Sequence, residues 1–174
     1  MTDHHGVDYV IVGAGSAGCA IANRLSADPA TSVLLIEAGG PDDRQAAHIP
    51  AAFSQLFGSD ADWNYHTVPQ PALQNREIYW PRGRLLGGSS SMNAMMWVRG
   101  FAADYDHWAE VAGPGWSWQA LQPYLQRVER VAGATRDDQG IGGAVCIEPQ
   151  RDPRSHTRAF LRAAAQAGYP VEEA

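Results

Sequence analysis

The sequence predicts an α/β fold of the doubly wound type, in which parallel strands alternate with helices. Residues 7–12 (VDYVIV) form a short apolar run rich in β-branched side chains, typical of a strand buried on both faces. A glycine-rich turn at 13–18 follows, and apolar residues then recur at helical spacing until Asp28-Pro29 stops the pattern. Residues 32–36 (SVLLI) form a second apolar run. Together these observations predict the first β-α-β unit of a doubly wound sheet.

The segment from Ala38 to Gly88 shows no sustained period and is rich in Gly, Pro, Asp and aromatic residues. Such a composition predicts long ordered loops, which a domain tolerates where the loops wrap a large ligand. The apolar stretch 89–98 that follows is consistent with a helix, and Asp104 is placed to cap a helix through Glu110. The middle of the chain is therefore expected to be irregular, with helices resuming after it.

Three further elements are predicted nearer the carboxyl end. Ser117 is expected to cap a helix that carries an apolar face, with a break or a new first turn at Pro123. The apolar residues 145–147 predict a short strand, and a last helix is predicted from 153–155 to Gly168. Only the two strands of the first unit look fit for a parallel sheet, and two strands alone would leave both sheet edges unpaired. We therefore expect the chain to be part of a longer protein.

The composition excludes several classes of function. The formal net charge is −6 at pH 7, so the chain lacks the basic surface that a nucleic acid requires. It contains no lysine, which excludes P-loop kinases, pyridoxal-phosphate enzymes and Schiff-base aldolases. Its six histidines do not fall at metal-ligand spacings and it has no C-x-x-C pair, so no metal site is predicted.

The sequence also bears on location. No apolar run approaches the length of a membrane span, and the polar first residues do not resemble a signal peptide. Only Cys19 and Cys146 are present, and they are far apart, so a disulfide framework is not indicated. We therefore expect a cytoplasmic protein without a transmembrane segment.

The dinucleotide-binding pattern G-x-G-x-x-G occurs directly after the first strand and at the start of a helix. Gly13 permits the tight turn, Gly15 lets the backbone approach a pyrophosphate, and Gly18 lets helix and strand pack closely. The phosphates are expected against the N–H groups of Ser16 and Ala17, at the positive end of the helix. Alone, this Rossmann-type motif is a weak signal, because glycine-rich turns are common.

Glu37 ends the second strand, 19 residues after Gly18. At this distance a carboxylate meets the ribose hydroxyls in dinucleotide folds, where a charge-assisted hydrogen bond contributes roughly 1.5 to 3 kcal/mol. The negative charge of Glu37 would repel a 2′-phosphate, which disfavours NADP. A solvated loop acid is the alternative, but strand, glycines, helix, strand and acid in this order favour a nucleotide site. The pattern does not separate FAD from NAD.

A second motif lies at 83–93 (GRLLGGSSSMN). Gly87 and Gly88, with the three serines after them, offer a backbone that bends tightly and donors suited to a pyrophosphate or a ribityl chain. A flexible linker is the alternative, and the apolar run that follows argues against it. The serines do not form a G-x-S-x-G motif, so a hydrolase is a remote interpretation.

Residues 83–93, continuing to Trp97, Gly100 and Asp106, resemble the first signature of the glucose-methanol-choline (GMC) oxidoreductases. Flanking segments resemble the same family at 62–65 (DWNY), 69–71 (PQP), 81–84 (PRGR) and 98–100 (VRG). The resemblance extends from about Val7 to Gly168. It implies an incomplete doubly wound, Rossmann-like FAD-binding domain with long cofactor-wrapping loops and additional helices.

The resemblance implies that FAD binds at the two motifs. The cofactor-binding residues that it implies are Gly13, Gly15, Ser16, Ala17, Gly18, Glu37, Ala38, Trp63, Arg84, Leu85, Gly87, Gly88, Ser91, Asn93, Ala94, Met95 and Met96. Some members of the family attach FAD covalently through a histidine at the position of Met92. A thioether cannot form that link, so the FAD is expected to be bound non-covalently.

The resemblance also implies the oxidation of a small-molecule alcohol at its CH–OH group, with a hydride passing to the flavin N5 and the electrons then to an acceptor. The family's catalytic histidine and its His or Asn partner belong to a carboxy-terminal segment, so no catalytic residue is expected within residues 1–174. The whole chain is expected to be the amino-terminal part of the FAD-binding domain, without most of the substrate domain, and inactive by itself. Two alternatives stay open, a catalytically inactive nucleotide-binding fragment and an NAD-dependent Rossmann dehydrogenase.

Overall fold

The computed structural model describes residues 6–171, so the polar first residues discussed above lie largely outside the described part. The chain divides after Met96 into two compact units. Each unit carries its own short parallel strand pair, and every residue implied to bind the cofactor belongs to the first.

The first unit opens with the predicted β-α-β arrangement. Strand β1 spans Tyr9–Val12, helix α1 spans Ser16–Leu25 and strand β2 spans Val33–Ile36. The two strands pair in parallel, with Tyr9 opposite Val33 at one end of the ladder. The α/β prediction is confirmed, and α1 begins directly at the glycine-rich turn.

The prediction that the first strand is buried on both faces is wrong for the described residues. Ile11 lies half-buried towards α1, where its Cγ2 atom is 3.4 Å from the place a Cβ on Gly18 would take. On the other face Val10 is 54% exposed and Val12 is 83% exposed. The apolar composition of the run predicted the strand correctly, but α1 covers one face of the pair only.

The segment 38–88 was predicted to form long ordered loops without regular structure. It is ordered, but it contains short regular elements. It contains helix α2 (Gln45–His48) and two short antiparallel strands, β3 (Tyr65–His66) and β4 (Tyr79–Trp80). Short 3₁₀ helices span Pro50–Leu56, Pro71–Leu73 and Gly88–Ser91. Elements of two to seven residues are too short to show a hydrophobic period, so the sequence pattern missed them.

The buried core of the first unit consists of Leu56, Ala61, Leu85 and Met92. The helix predicted over 89–98 is absent. A 3₁₀ turn forms at Gly88–Ser91, and the chain after it is irregular. The left-handed backbone of Met95 (φ +55°) is incompatible with a right-handed helix through this stretch.

Two α-helices open the second unit. Helix α3 spans Ala102–Ala112, and Asp104 lies inside its first turn, where its carboxylate accepts a hydrogen bond from the Phe101 N–H at 2.8 Å. The prediction of a helix is confirmed, but its start is earlier than predicted. Asp104 still caps the helix, from the third helical position.

Helix α4 spans Trp118–Val128, and Ser117 caps it by accepting a hydrogen bond from the Ala120 N–H at 3.3 Å. The predicted break at Pro123 is wrong, because the helix continues through it. A proline removes one backbone hydrogen bond from a helix, and here the half-buried apolar face of α4 maintains the helix despite that loss.

The second parallel pair was only half predicted. Strand β5 spans Glu129–Val131 and strand β6 spans Val145–Ile147, which was expected. Helix α5 spans Ser155–Gln166, and Gly168, predicted to end it, follows two residues later with a left-handed φ of +84°. No helix within residues 6–171 is long and apolar enough to cross a membrane.

A buried carboxylate organises the second unit. Glu129 is 1% exposed, and it accepts hydrogen bonds from the Trp97 indole N–H at 2.8 Å and from the Arg99 Nε at 2.6 Å. The Gly140 N–H donates to it as well, at 3.4 Å. The hydrogen bonds from Arg99 lower the pKa of Glu129, so the group is a structural anion.

Candidate cofactor-binding site

The glycine-rich turn joins β1 to α1, and two of its glycines are required for different reasons, Gly13 for its backbone conformation and Gly18 for lack of space. Gly13 has a φ of +95°, a conformation that L side chains rarely adopt, and its N–H donates to the Ile36 carbonyl at 2.7 Å. A Cβ on Gly18 would lie 1.9 Å from the Gly13 carbonyl oxygen. The structure therefore supports the tight-turn role predicted for Gly13 and the close-packing role predicted for Gly18.

Gly15 differs from these two glycines because the space around it is open. A Cβ at this position would meet no atom within 4 Å, although Gly15 is the N-cap of α1. No side chain caps the helix, so the backbone N–H groups of its first turn, including those of Ser16 and Ala17, are available to donate to a ligand. This combination of open space and unsatisfied donors fits a pyrophosphate.

The second glycine motif contacts the first. The Gly87 N–H donates to the Ala14 carbonyl at 2.8 Å, and Gly87 pairs with Gly15 as an isolated parallel bridge. A Cβ on Gly88 would lie 3.0 Å from the Gly15 Cα. Two glycines more than seventy residues apart in the sequence, Gly15 and Gly87, thus bring the two motifs into one continuous glycine surface at the amino end of α1.

A third segment completes this junction. The Leu86 N–H donates to the Gly40 carbonyl at 2.9 Å. A Cβ on Gly39 would lie 2.1 Å from the carbonyl carbon and oxygen of Arg84. The end of β2 therefore approaches the 84–88 backbone so closely that only glycine fits at residue 39.

The Glu37 carboxylate is anchored in this junction. Its Oε2 accepts a hydrogen bond from the Ala14 N–H at 2.8 Å, and its Oε1 accepts one from the Gly39 N–H at 2.9 Å. The alternative that Glu37 is a freely solvated loop residue is therefore wrong. Each carboxylate oxygen keeps further acceptor capacity, which is the property that a ribose hydroxyl requires.

The serines of the signature stabilise their own loop. Ser90 donates its hydroxyl to the Gly87 carbonyl at 2.6 Å, and Ser91 donates to the Leu86 carbonyl at 2.8 Å. The Gly83 N–H donates to the Ser89 hydroxyl oxygen at 3.1 Å. These hydrogen bonds exclude the flexible-linker alternative. Because the Ser90 and Ser91 hydroxyl hydrogens are already donated within the loop, the donors available to a ligand here are backbone N–H groups.

The residues after the signature serines divide between core and surface. Met92, at the position of the covalent linkage in some family members, is 3% exposed and packs in the core. Asn93 accepts a hydrogen bond from the Met95 N–H at 2.8 Å, which supports the left-handed backbone there. Met95 is 53% exposed and Met96 is 82% exposed. The stretch 93–96 is thus an exposed edge suited to contact a ligand.

Arg84, Trp63 and Tyr65 form a layered stack. The Arg84 guanidinium carbon is 5.1 Å from the centroid of the Trp63 ring, a cation–π distance. The Trp63 and Tyr65 rings lie parallel, with centroids 5.7 Å apart and an interplanar angle of 8°. Trp63 and Arg84 were implied by the resemblance, whereas Tyr65 was not.

Sequence reasoning missed Asp62, which is 6% exposed. Its carboxylate accepts hydrogen bonds from the Tyr79 hydroxyl and from the backbone N–H groups of Gly58, Asn64 and Arg82. Burial by itself raises the pKa of Asp62, but these four donors outweigh it and lower the pKa to about 2. A charged residue beside an aromatic gave no signal of burial in the sequence.

Replacing Asp62 by Asn is expected to destabilise the protein in a pH-dependent way. The native pKa of about 2 lies below the usual 3.8, so ionisation of Asp62 contributes fully above pH 3.8, by roughly 2 to 3 kcal/mol at most. That contribution is lost as the pH falls through the native pKa. Urea unfolding at neutral pH and near pH 2 measures the difference between variant and wild type. A difference that stays the same at both pH values contradicts this account.

No catalytic constellation accompanies the junction within residues 6–171. His48, His66, His107 and His156 are exposed, and they lie on separate segments. No three His, Cys, Asp or Glu side chains of the described part are grouped so as to hold a metal ion. The first unit thus brings together the glycine turn, Glu37 and the signature segment, which is a binding arrangement.

Comparison with known proteins gives consistent matches. The sequence profile of the GMC oxidoreductases matches residues 7–174. An uncharacterized GMC-type oxidoreductase from Mycobacterium tuberculosis (strain ATCC 25618 / H37Rv) is 57% identical over 166 residues, covering 93% of this chain and 31% of the relative. Mitochondrial choline dehydrogenase from Mus musculus is 42% identical over 173 residues, covering 95% of this chain and 29% of the relative.

Solved structures agree with the sequence matches. Pyridoxine 4-oxidase from Mesorbium loti superposes with a TM-score of 0.89 at 40% identity, over 95% of this chain and 33% of that chain. The chain therefore spans about a third of the length of the proteins that it matches.

Proposed function

The chain belongs to the GMC oxidoreductase family, and from that premise we propose that its first unit binds FAD for the oxidation of a small alcohol at the CH–OH group. The observation that carries the proposal is the junction in which Gly87 pairs with Gly15 beside Glu37. Three segments meet there around an open helix N-terminus.

FAD is the cofactor of this family, so the NAD-dependent alternative is set aside. We assign the pyrophosphate to the open space at Gly15 and the first turn of α1, and the ribose to Glu37. The remaining contacts are assigned to Ala38, Trp63, Arg84, Leu85, Gly87, Gly88, Ser91, Asn93, Ala94, Met95 and Met96. The geometry at Gly15 supports this assignment, because the cradle there is one that any side chain would fill.

When bound, FAD supplies a two-electron acceptor for the conversion of a CH–OH group into a carbonyl. The described residues contribute binding and orientation, whereas the base that removes the hydroxyl proton is proposed to lie elsewhere in the full protein. The relatives support this view, since the chain covers only 29 to 31% of their length. We accordingly propose that residues 1–174 are the amino-terminal part of the flavoenzyme and do not turn over substrate alone.

The substrate is proposed to be a small alcohol, on the strength of the 42% identity to a choline dehydrogenase. A cytoplasmic location and the absence of a nucleic-acid partner stay predictions. The two cysteines, Cys19 and Cys146, are both free, which is in keeping with a reducing compartment.

Replacing Glu37 by Gln is expected to weaken FAD binding about tenfold. The amide keeps the size of the side chain, but its NH₂ group would face one of the two backbone N–H groups that Glu37 now accepts from. It also removes the negative charge from the ribose contact. We expect the binding free energy of FAD to weaken by roughly 1.4 kcal/mol. FAD titration of the apoprotein, followed by flavin fluorescence, measures the change. The control is Glu110→Gln, whose side chain is 73% exposed and lies on α3. Equal affinities in wild type and Glu37→Gln would remove the ribose assignment.

Acid precipitation of the full-length holoprotein is expected to release all of its flavin into the supernatant. Met92 is buried in the core, and a thioether cannot form the covalent link that a histidine at this position forms, so we propose that the cofactor is held by non-covalent contacts. Flavin absorbance of pellet and supernatant provides the measurement. Colour that stays with the pellet would contradict non-covalent binding.

A further inference from the structure

We propose that Asp62 is a positioning residue for the cofactor site, because its carboxylate fixes the strand register that brings the Trp63 indole and the Arg84 guanidinium together. The inference rests on the proposed function, which assigns Trp63 and Arg84 to FAD. Asp62 itself is buried, so its proposed effect on the cofactor passes through these two neighbours.

The backbone around Asp62 forms an antiparallel ladder. The Trp63 N–H donates to the Arg82 carbonyl at 2.9 Å, and the Arg84 N–H donates to the Ala61 carbonyl at 2.7 Å. A slip of one residue in such a ladder moves every side chain to the opposite face. The stack of Arg84 on Trp63 therefore depends on this single register.

The Asp62 carboxylate specifies that register. Its Oδ1 accepts hydrogen bonds from the Arg82 N–H and the Asn64 N–H, both at 3.0 Å, and its Oδ2 accepts from the Gly58 N–H at 2.9 Å and from the Tyr79 hydroxyl. These donors come from the segment before Asp62, from the turn after it and from the facing strand. A shifted strand would separate several of these donors from the carboxylate, and the buried Asp62 would lose the hydrogen bonds that stabilise its charge.

The hydrogen bond from the Asn64 N–H to Asp62 fixes the backbone next to Trp63. Asn64 has a left-handed backbone (φ +54°), and an aspartate two residues earlier stabilises such a turn through its side chain. The turn follows immediately after Trp63, a residue that is 39% exposed and whose ring stacks on Tyr65. Asp62 thereby holds a flat, accessible aromatic surface with a cation on it.

The test uses the full-length protein with Asp62→Asn, with Tyr79→Phe, and with Glu129→Gln as the matched control. Asn keeps the shape of Asp62 but loses one acceptor, and Phe removes one of the four donors. Glu129→Gln alters another buried carboxylate with several donors, in the second unit. The measurements are the FAD dissociation constant, the visible circular dichroism of the flavin at saturating FAD, and the thermal midpoint.

We expect Asp62→Asn to raise the FAD dissociation constant about tenfold and Tyr79→Phe to raise it about threefold, as losses of one to two hydrogen bonds predict. The flavin circular dichroism of Asp62→Asn should differ from wild type even at saturation. Glu129→Gln should lower the thermal midpoint while its dissociation constant stays within about twofold of wild type.

An Asp62→Asn protein with a lower midpoint but unchanged FAD affinity and flavin spectrum overturns the inference, since a purely structural role predicts that result. If Asp62→Asn does not fold, unchanged affinity and spectrum in Tyr79→Phe overturn it instead. Failure of the wild-type protein to bind FAD overturns both this inference and the proposed function. FAD binding in wild type with no change in these variants overturns this inference alone.

Discussion

Replacing Gly15 by Val is expected to weaken FAD binding at least about a hundredfold while the protein stays folded. A Cβ at Gly15 meets no protein atom within 4 Å and the local backbone is extended (φ −79°), so the protein itself accommodates a side chain. The branched side chain would occupy the space assigned to the pyrophosphate. Loss of two charge-assisted hydrogen bonds there, at roughly 1.5 kcal/mol or more each, gives this factor.

Gly115→Val is the matched control for Gly15→Val. Gly115 also has open space around its Cβ position and no positive φ, but it lies in the second unit, in a 3₁₀ turn before α4. Its FAD affinity is expected to stay within about twofold of wild type. FAD titration and thermal unfolding of both variants provide the comparison. A Gly15→Val protein that binds FAD like wild type would contradict the pyrophosphate assignment.

Replacing Gly39 by Ala is expected to destabilise the protein by about 3 kcal/mol and to weaken FAD binding with it. The new methyl would lie 2.1 Å from the Arg84 carbonyl group and 2.4 Å from the Leu85 nitrogen. These are backbone atoms, so the two segments must separate, and overpacking of this kind costs about 1 to 3 kcal/mol or more. Urea unfolding and FAD titration measure the two effects.

The neighbouring Gly40 provides the control. A Cβ on Gly40 meets no atom within 4 Å and its φ is not positive, so Gly40→Ala is expected to change stability by less than about 0.5 kcal/mol. Comparable destabilisation in the two variants would show that the close approach of residue 39 to the 84–85 backbone is not what holds the junction.

The elements of the fold that could be predicted are those marked by residues within or next to the element itself. The turn between β1 and α1 is marked by its glycines, and the end of α5 is marked by Gly168. Strand β5 (Glu129–Val131) was missed, since its sequence ERV carries two charged residues and its burial comes from the Arg99 and Trp97 contacts. The helix expected over 89–98 does not form, because the backbone turns left-handed at Met95, which apolar composition does not reveal.

The candidate site shows the same division. The glycine motif and Glu37 could be predicted as a nucleotide site because strand, turn, helix and acid follow one another in the chain. The pairing of Gly87 with Gly15 joins segments remote in sequence, and periodicity carries no information about it. Asp62 was missed because its four donors are backbone groups and a tyrosine hydroxyl, which no residue spacing reveals.

Hydrogen–deuterium exchange of the full-length protein, with and without FAD, tests the central claim most directly. The account predicts stoichiometric FAD binding with protection of the backbone amides at 13–18 and 84–91, and with little change in α4 (Trp118–Val128). The junction would be protected because the cofactor shields the first turn of α1 and closes the glycine surface. Stoichiometric FAD binding that leaves exchange at 13–18 and 84–91 unchanged would contradict it.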